Sequence, residues 1–224
     1  MSMEENTKLL IEAASSGDAK EVVRLIPVSD MKYDLSLRKA AHNGHIQCIQ
    51  LLLPYFFHAD GTSHALCCAA ASGREECVKF LIPLSNPKAF NSEALRRAAY
   101  NGHTECVKLL LPISDPDPDC LSALVWATKQ GHTEIVKLLL PVSNPKAHKS
   151  AALQMAVMYN HPSCIDLLYP ISNPQDALYK LQTDYPSQPK MWGILEHHVA
   201  QEQNQKLNAE VEQLPNKPSV KKLI

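Results

Sequence analysis

Histidine and cysteine side chains are the groups in this chain whose type and spacing come nearest to a reactive site. His64, Cys67 and Cys68 lie close together in sequence, and imidazole with thiolate is a donor set typical of zinc sites. No Cys-x-x-Cys motif elsewhere completes such a site. In other copies of a repeated unit, Arg96–Arg97 or Val125–Trp126 occupies the two cysteine positions. This exchange favours an ordinary repeat position over a metal ligand, so no metal site is expected.

The familiar motifs of catalysis are missing from the sequence. It contains no Gly-x-x-x-x-Gly-Lys phosphate loop, no Gly-x-Ser-x-Gly elbow and no His-Glu-x-x-His zinc helix. His45, His103 and His132 each follow a glycine, and Arg74 takes the same place in another copy, which indicates a structural role. His197–His198 falls in a polar stretch and is interpreted as solvated. We therefore expect neither an enzyme nor a cofactor.

Two residues recur in phase along the chain and indicate the helices that would position any functional side chain. The landmark glycine recurs after 27 residues and then every 29, with Asn160 in its sixth place: Gly17, Gly44, Gly73, Gly102 and Gly131. A closing proline keeps the same step: Pro27, Pro54, Pro83, Pro112, Pro141 and Pro170. Two independent markers in register over six copies predict a repeat protein.

Each copy of the unit predicts two short helices joined by a tight turn. In the fourth copy, Asn91–Ser92 is expected to cap a helix over residues 93–100, and Gly102 supplies the turn. The second helix, over 104–111, carries an apolar stripe and ends at Pro112. One hairpin of this size cannot bury its own apolar face, so neighbouring copies must stack.

These residues resemble the ankyrin repeat. The match is to its core, which here spans Ala94 to Leu111, and the fifth copy, from Gly131 to Leu140, is closer still. The resemblance covers residues 4–175 and implies an all-α, ankyrin-like helical solenoid of six helix-turn-helix repeats with a helical C-terminal cap. The chain departs from the family in lacking Thr-Pro-Leu-His and in its period of 29 residues, where about 33 is typical.

The shortening lies in the connector between one helix pair and the next. Residues 83–89 and 141–147 both carry a Ser-Asn-Pro turn and two prolines within five residues, a composition that discourages paired strands. We expect compact loops with little or no strand at these connectors. The second connector differs because it carries three consecutive aromatic residues, Tyr55, Phe56 and Phe57. They are interpreted either as a plug for a degenerate repeat or as an exposed patch for a partner.

The repeats divide the chain into three parts. The array covers residues 1–174, with repeats at about 4–27, 33–54, 62–83, 91–112, 120–141 and 149–170. Residues 175–214 are predicted to form C-terminal capping helices, the last of which either projects into solvent or pairs with another chain. Residues 215–224 are expected to be disordered.

Composition narrows the class of protein further. A net charge of -1 argues against a large basic surface for nucleic acid or anionic membrane. The sequence lacks an apolar run of roughly 20 residues, and its N-terminus is acidic and polar, so a soluble, cytoplasmic protein is expected. The cysteine slot shared by four repeats holds Ile135 in the fifth, which indicates buried thiols and not a disulfide framework.

Positions that vary inside the constant frame are the candidates for binding. The resemblance implies that the concave surface is formed by the first helices and the loop tips. One column of first-helix positions directly precedes the small Ala-Ala pair, and a second column follows it. The predicted partner-binding residues are Lys39, His42, Asn43, Arg97, Tyr100, Asn101, Trp126, Lys129, Gln130, Met155, Met158 and Tyr159. Trp126 is expected to be partly exposed, because Lys39 and Arg97 take its place in other repeats.

These columns predict a groove that is basic toward its N-terminal half and apolar-aromatic toward its C-terminal half. Such a groove suits a protein or peptide partner with an acidic part and a hydrophobic anchor. We therefore expect a non-catalytic protein-interaction scaffold, with a monomer as the expected state. Three alternatives stay open: an effector of an intracellular bacterium or protist acting on host proteins, a structural spacer, and a nucleic-acid-binding solenoid.

Overall fold

The computed structural model describes residues 2–30, 34–56, 59–116 and 122–213, and all regular secondary structure in these parts is helical. The first six helices are α1 (Met3–Ser16), α2 (Ala19–Leu25), α3 (Leu35–Asn43), α4 (Ile46–Phe56), α5 (Ala59–Ala71) and α6 (Glu75–Leu81). The next six are α7 (Ala89–Asn101), α8 (Thr104–Leu110), α9 (Ala123–Lys129), α10 (Thr133–Leu139), α11 (Ala147–Met158) and α12 (Pro162–Leu168). Two more, α13 (Pro174–Asp184) and α14 (Pro189–Gln213), follow the sixth hairpin.

The hairpins form where the glycine and proline markers predict them, except that in the second unit α4 continues through Pro54 to Phe56. Gly102 ends α7 with a φ of +81°, a backbone conformation that L-residues adopt only with strain. The backbone then enters α8 within two residues. Pro112 lies in a single 3-10 turn, Leu111–Ile113, which closes the unit. The predicted helix-turn-helix repeat is confirmed.

The connectors contain no strand in the described residues, as predicted. Each of the two complete Ser-Asn-Pro connectors forms a turn in which the asparagine side chain accepts a backbone N–H two residues on. Asn86 accepts from Lys88, and Asn144 accepts from Lys146. The backbone then passes through three left-handed residues before the helix proper: Phe90, Asn91 and Ser92 in α7, and His148, Lys149 and Ser150 in α11.

The prediction that Ser92 caps its own helix is wrong. Its φ of 55° turns the residue away from N-cap geometry, and its hydroxyl accepts a hydrogen bond from the backbone N–H of Asp115, 2.8 Å away in the next connector. The same bond recurs between Ser63 and Asn86 and between Ser150 and Asn173. These buried hydroxyl groups therefore tie the start of one repeat to its own exit connector.

The hairpins stack so that first helices form one row and second helices form another. The first helices α1, α3, α5, α7, α9, α11 and α13 pack each against the next. The small pair Ala98–Ala99 is fully buried between neighbouring helices, as are Ala40–Ala41 and Ala69–Ala70. Small side chains allow this close approach, and the leucines and cysteines of the second helices fill the space between the rows.

Histidines after the glycines join each repeat to the one before it. His103 donates from Nε2 to the carbonyl oxygen of Ala71, and His132 donates to that of Tyr100, at 3.1 and 3.0 Å. His45 and His161 repeat the contact on Ser15 and Lys129. In the remaining repeat Arg74 makes an equivalent bond from Nε to the carbonyl oxygen of His42, 3.0 Å away. The structural role predicted for this position is confirmed.

The C-terminal helices extend the stack. α13 packs on α11 in the place of a seventh first helix, and α14 packs on both. Leu195 and Val199 of α14 are buried, and Tyr169 donates a hydrogen bond to Oε2 of Glu202 at 2.8 Å. The second half of α14 is exposed from residue 203 to 210. The tail predicted to be disordered, 215–224, lies outside the described residues.

None of the described helices combines the length and the apolar character that a membrane span requires.

Candidate functional site

The residues that precede the Ala-Ala pair form a row along the first-helix face, the surface made by α3, α5, α7, α9 and α11. Helical periodicity buries the alanines and leaves the preceding side chain at the edge of the core. Lys39 and Arg97 are exposed, and Trp126 and Met155 are half-buried. The partial exposure predicted for Trp126 is therefore what the structure has.

Five of the predicted binding residues meet in one cavity between α7 and α9. The cavity has a volume of about 470 Å³. It is lined by Glu93, Arg96, Arg97, Tyr100, Asn101, Trp126 and Lys129. Its wall thus combines three cations, one carboxylate and two aromatic rings. We call it the central cavity.

The ammonium group of Lys129 lies close to aromatic rings at the central cavity. Tyr100 meets Trp126 edge to face, with ring centroids 5.3 Å apart and an interplanar angle of 82°. The ammonium group of Lys129 lies 5.1 Å from the Trp126 centroid and 5.3 Å from that of Tyr159. Both separations permit a cation–π attraction. The four side chains therefore form a connected aromatic-cationic cluster that spans α7, α9 and the residue that follows α11.

Glu93 is a functional candidate that lies outside the two predicted columns of binding residues. Its Oε1 accepts a hydrogen bond from Nε of Arg97 at 2.6 Å, and its carboxylate also pairs with Arg96. The hydrogen bond from Arg97 to Glu93 raises the pKa of the arginine above its ordinary value. The spacing of three and four residues to Arg96 and Arg97 is the signal that indicates such pairing on a helix. Glu93 makes this half of the groove less basic than the arginines alone predict.

Lys39 and His42 lie apart from the central cavity. With Leu35, Arg38 and Cys68 they line a shallow depression of about 180 Å³ at the N-terminal end of the row. Asp34 faces Arg38 at 3.7 Å and His64 at 3.3 Å, so a second carboxylate offsets positive charge here. In the described part of the chain Lys39 has no ion-pair partner.

Two of the predicted binding residues hold the array together. Asn43 donates from Nδ2 to the carbonyl oxygen of Ser15 at 2.7 Å. Asn101 makes the corresponding bond to Ala71 at 3.0 Å, although its side chain also borders the central cavity. Their amides therefore connect neighbouring repeats beside the histidine contacts, which leaves less of each side chain for a partner.

The remaining predicted residues are spread toward the C-terminal end. Gln130 and Tyr159 are exposed, whereas Met155 and Met158 are half-buried. Met158 lines a separate opening of about 670 Å³ between α11 and the start of α14, with Val157 and Ile194 among its neighbours. The predicted sites thus fall into a central group and two outlying groups.

The His64, Cys67 and Cys68 group is not arranged for shared ligation. His64 faces Asp34 and stacks on Phe90, with ring centroids 4.5 Å apart. Cys67 is buried, and that burial raises the pKa of its thiol to about 12. Among the described residues no group of three histidine, cysteine or acidic side chains has the spacing of a metal site.

The aromatic run after the second repeat is split by the fold. Phe56 is fully buried, whereas Tyr55 is half exposed at 51%. Phe57 lies outside the described residues. Phe56 therefore fits the interpretation as a plug for the core, and Tyr55 fits the interpretation as an exposed residue.

Most charged side chains on the opposite surface, formed by the second helices, pair with each other. Glu76, Glu105 and Glu134 each pair with the lysine three residues later, and Glu21 pairs with Arg24 in the same way. Exposed pairs of this kind contribute little to stability, but they leave no net charge for a partner. On the first-helix face, by contrast, Lys39 and Lys129 have no carboxylate partner among the described residues.

Comparison with known proteins places these features in a family. The family model for ankyrin repeats in three copies matches residues 9–93 and 95–177. Among solved structures, the crystal structure of the human ASB11 ankyrin repeat domain matches with a TM-score of 0.62 and 25% identity. That match covers 72% of this chain and 82% of the other. A comparison with curated protein sequences finds no significant match. The chain belongs to the ankyrin repeat family.

Proposed function

We propose that this protein binds a segment of another protein through its first-helix face, which is the concave face in the ankyrin family. The carrying observation is the central cavity, where Tyr100, Trp126 and Lys129 form an accessible aromatic-cationic surface. Tryptophan, tyrosine and arginine are the side chains that most often dominate the energy of protein interfaces. Ankyrin repeats generally mediate protein–protein interaction, which supports the same function.

The charge distribution supports a partner with acidic and hydrophobic features. Lys39 and Lys129 lie on the first-helix face without a carboxylate partner among the described residues, whereas most charges of the second-helix face are paired with each other. An acidic segment therefore gains Coulomb attraction along the first-helix face. The rings of Tyr100 and Trp126 offer a place for an apolar anchor within the same cavity.

The test is affinity purification of binding proteins from a cytosolic extract, with three matched baits. These are the wild type, the variant Arg97→Glu/Trp126→Ala and the control Lys137→Glu/Val23→Ala. The side chains of Arg97 and Lys137 are equally exposed, at 52%, so the control matches the charge reversal on the other face. Circular dichroism first establishes that all three proteins are folded.

A protein retained by the wild type and the control but lost with the first variant would support recognition through this face. A binder that all three baits retain would contradict it and move attention to Tyr55 or α14. Steep loss of binding with added salt, together with recovery of nucleic acid, would instead favour a nucleic-acid-binding solenoid.

A further inference from the structure

Glu93 forms ion pairs with both arginines of the central cavity, Arg96 and Arg97. Its carboxylate bridges Arg96 and Arg97, which follow it by three and four residues on α7. The Glu93 side chain is 25% exposed, that of Arg96 is 14% exposed and that of Arg97 is 52% exposed. Glu93 and Arg96 thus form the floor of the cavity, and Arg97 stands at its opening.

Arg97 has hydrogen-bonding capacity left over. A guanidinium group carries five N–H donors, and Glu93 uses the one on Nε. The terminal nitrogens of Arg97 make no hydrogen bond to the described residues. Lys129 contributes a second accessible cation. Its ammonium group contacts the faces of aromatic rings, and a carboxylate would bind this ammonium group more strongly than the rings do. Three cations against one carboxylate leave the cavity with net positive charge.

We infer that the central cavity binds a carboxylate side chain of the partner segment, next to an aromatic or aliphatic side chain held by Tyr100 and Trp126, and that Glu93 sets the strength of this contact. The inference rests on the proposed function. A carboxylate fits because it can accept from the terminal nitrogens of Arg97 and approach Lys129. The neighbouring rings supply apolar contact area on the same side of the cavity.

Glu93 acts in two ways that a conservative substitution separates. Its shape and its oxygen hold the Arg97 side chain in place, whereas its negative charge opposes an incoming carboxylate. Glu93→Gln keeps the shape and one acceptor oxygen for Arg97 but removes the charge. We therefore expect this variant to bind an acidic segment more tightly than the wild type does.

The experiment begins with a phage-displayed library of random peptides selected on the wild-type protein. Enriched peptides are synthesised with a fluorescent label, each beside a version in which asparagine or glutamine replaces its acidic residues. Binding is measured by fluorescence anisotropy to the wild type, Glu93→Gln, Trp126→Ala and the control Glu105→Gln. Glu105 forms an exposed pair with Lys108 on α8 and lies on the other face of the same repeat.

We expect the amide version to bind the wild type about tenfold more weakly than the acidic peptide does. Glu93→Gln should bind the acidic peptide about fivefold more tightly, with no gain for the amide version, and Glu105→Gln should match the wild type. If Trp126→Ala abolishes binding but the acidic and amide peptides bind alike, the carboxylate inference is wrong and the proposed function stands. If Glu93→Gln binds the acidic peptide no more tightly than the wild type does, the role of Glu93 is wrong. If no selected peptide depends on Trp126, both fail.

Discussion

Replacing Gly102 by alanine tests how the turn of one repeat is coupled to the contact with the next. Gly102 has a φ of +81°, and a β-carbon added there would lie 2.7 Å from Cε1 of His132. This distance is well inside van der Waals contact, so the imidazole must move. The movement would break the hydrogen bond from His132 Nε2 to the carbonyl oxygen of Tyr100.

Two costs combine in the Gly102→Ala variant. An L-residue in the left-handed conformation costs about 1–2 kcal/mol, and the lost hydrogen bond costs about 1 kcal/mol. We therefore expect the free energy of unfolding to fall by about 2–3 kcal/mol. Gly193→Ala is the matched control, because Gly193 lies in the second turn of α14 and a β-carbon there meets no atom within 4 Å. It should instead raise helix stability by about 0.5–1 kcal/mol.

The assay is urea unfolding followed by far-UV circular dichroism, with His132→Ala and the double variant completing a cycle. Because the clash involves the imidazole, the double variant should lose less stability than the two single changes together. A loss below about 0.5 kcal/mol in Gly102→Ala, or strict additivity in the cycle, would refute the coupling.

Three further changes address other parts of the backbone and core. Ser92→Ala should lower the free energy of unfolding by about 1–3 kcal/mol, because the N–H of Asp115 then loses its acceptor; urea unfolding measures this. His148→Gly should raise the melting temperature by relieving a φ of 50°, whereas His197→Gly, in the regular part of α14, should lower it. Cys67→Ala should reduce the loss of stability at alkaline pH. Burial raises the pKa of the Cys67 thiol from 9.0 to about 12, so the thiol loses its proton at lower pH in the unfolded state than in the folded state. The contribution of the buried thiol to folding stability is therefore complete below pH 9 and disappears as pH rises toward 12. Urea unfolding at a series of pH values from 9 upward checks this, and an unchanged pH dependence would contradict it.

The helical hairpins were predictable because their signals are local. A glycine and a proline in constant phase mark the turn and the end of each unit, and the apolar stripe of the second helix lies between them. The left-handed start of α7 was not predictable in this way. Asparagine tolerates positive φ, but serine and phenylalanine rarely adopt it, so residues 90–92 do not indicate three consecutive left-handed residues. The tight return of the chain imposes that geometry.

Sequence register predicts which residues share the surface of the candidate site, but it predicts less of the contacts that these residues make. Register within the repeat placed Arg97, Tyr100, Trp126 and Lys129 on one surface, since equivalent residues of stacked units lie side by side. Register alone did not distinguish a side chain that faces a partner from one that bonds to the preceding repeat. Asn101 was therefore grouped with the binding residues, although its amide bonds to Ala71. The contribution of Glu93 depends on rotamers that bring it to two arginines at once.

The histidine contacts have a consequence for changes in length. From the second to the fifth unit, each unit carries the acceptor carbonyl at the end of its first helix and the donor directly after its own glycine. An in-frame duplication or deletion of 29 residues, the period between landmark glycines, moves donor and acceptor together and leaves every junction chemically complete. Gene segments encoding whole units can thus be gained or lost without a compensating mutation at the junction.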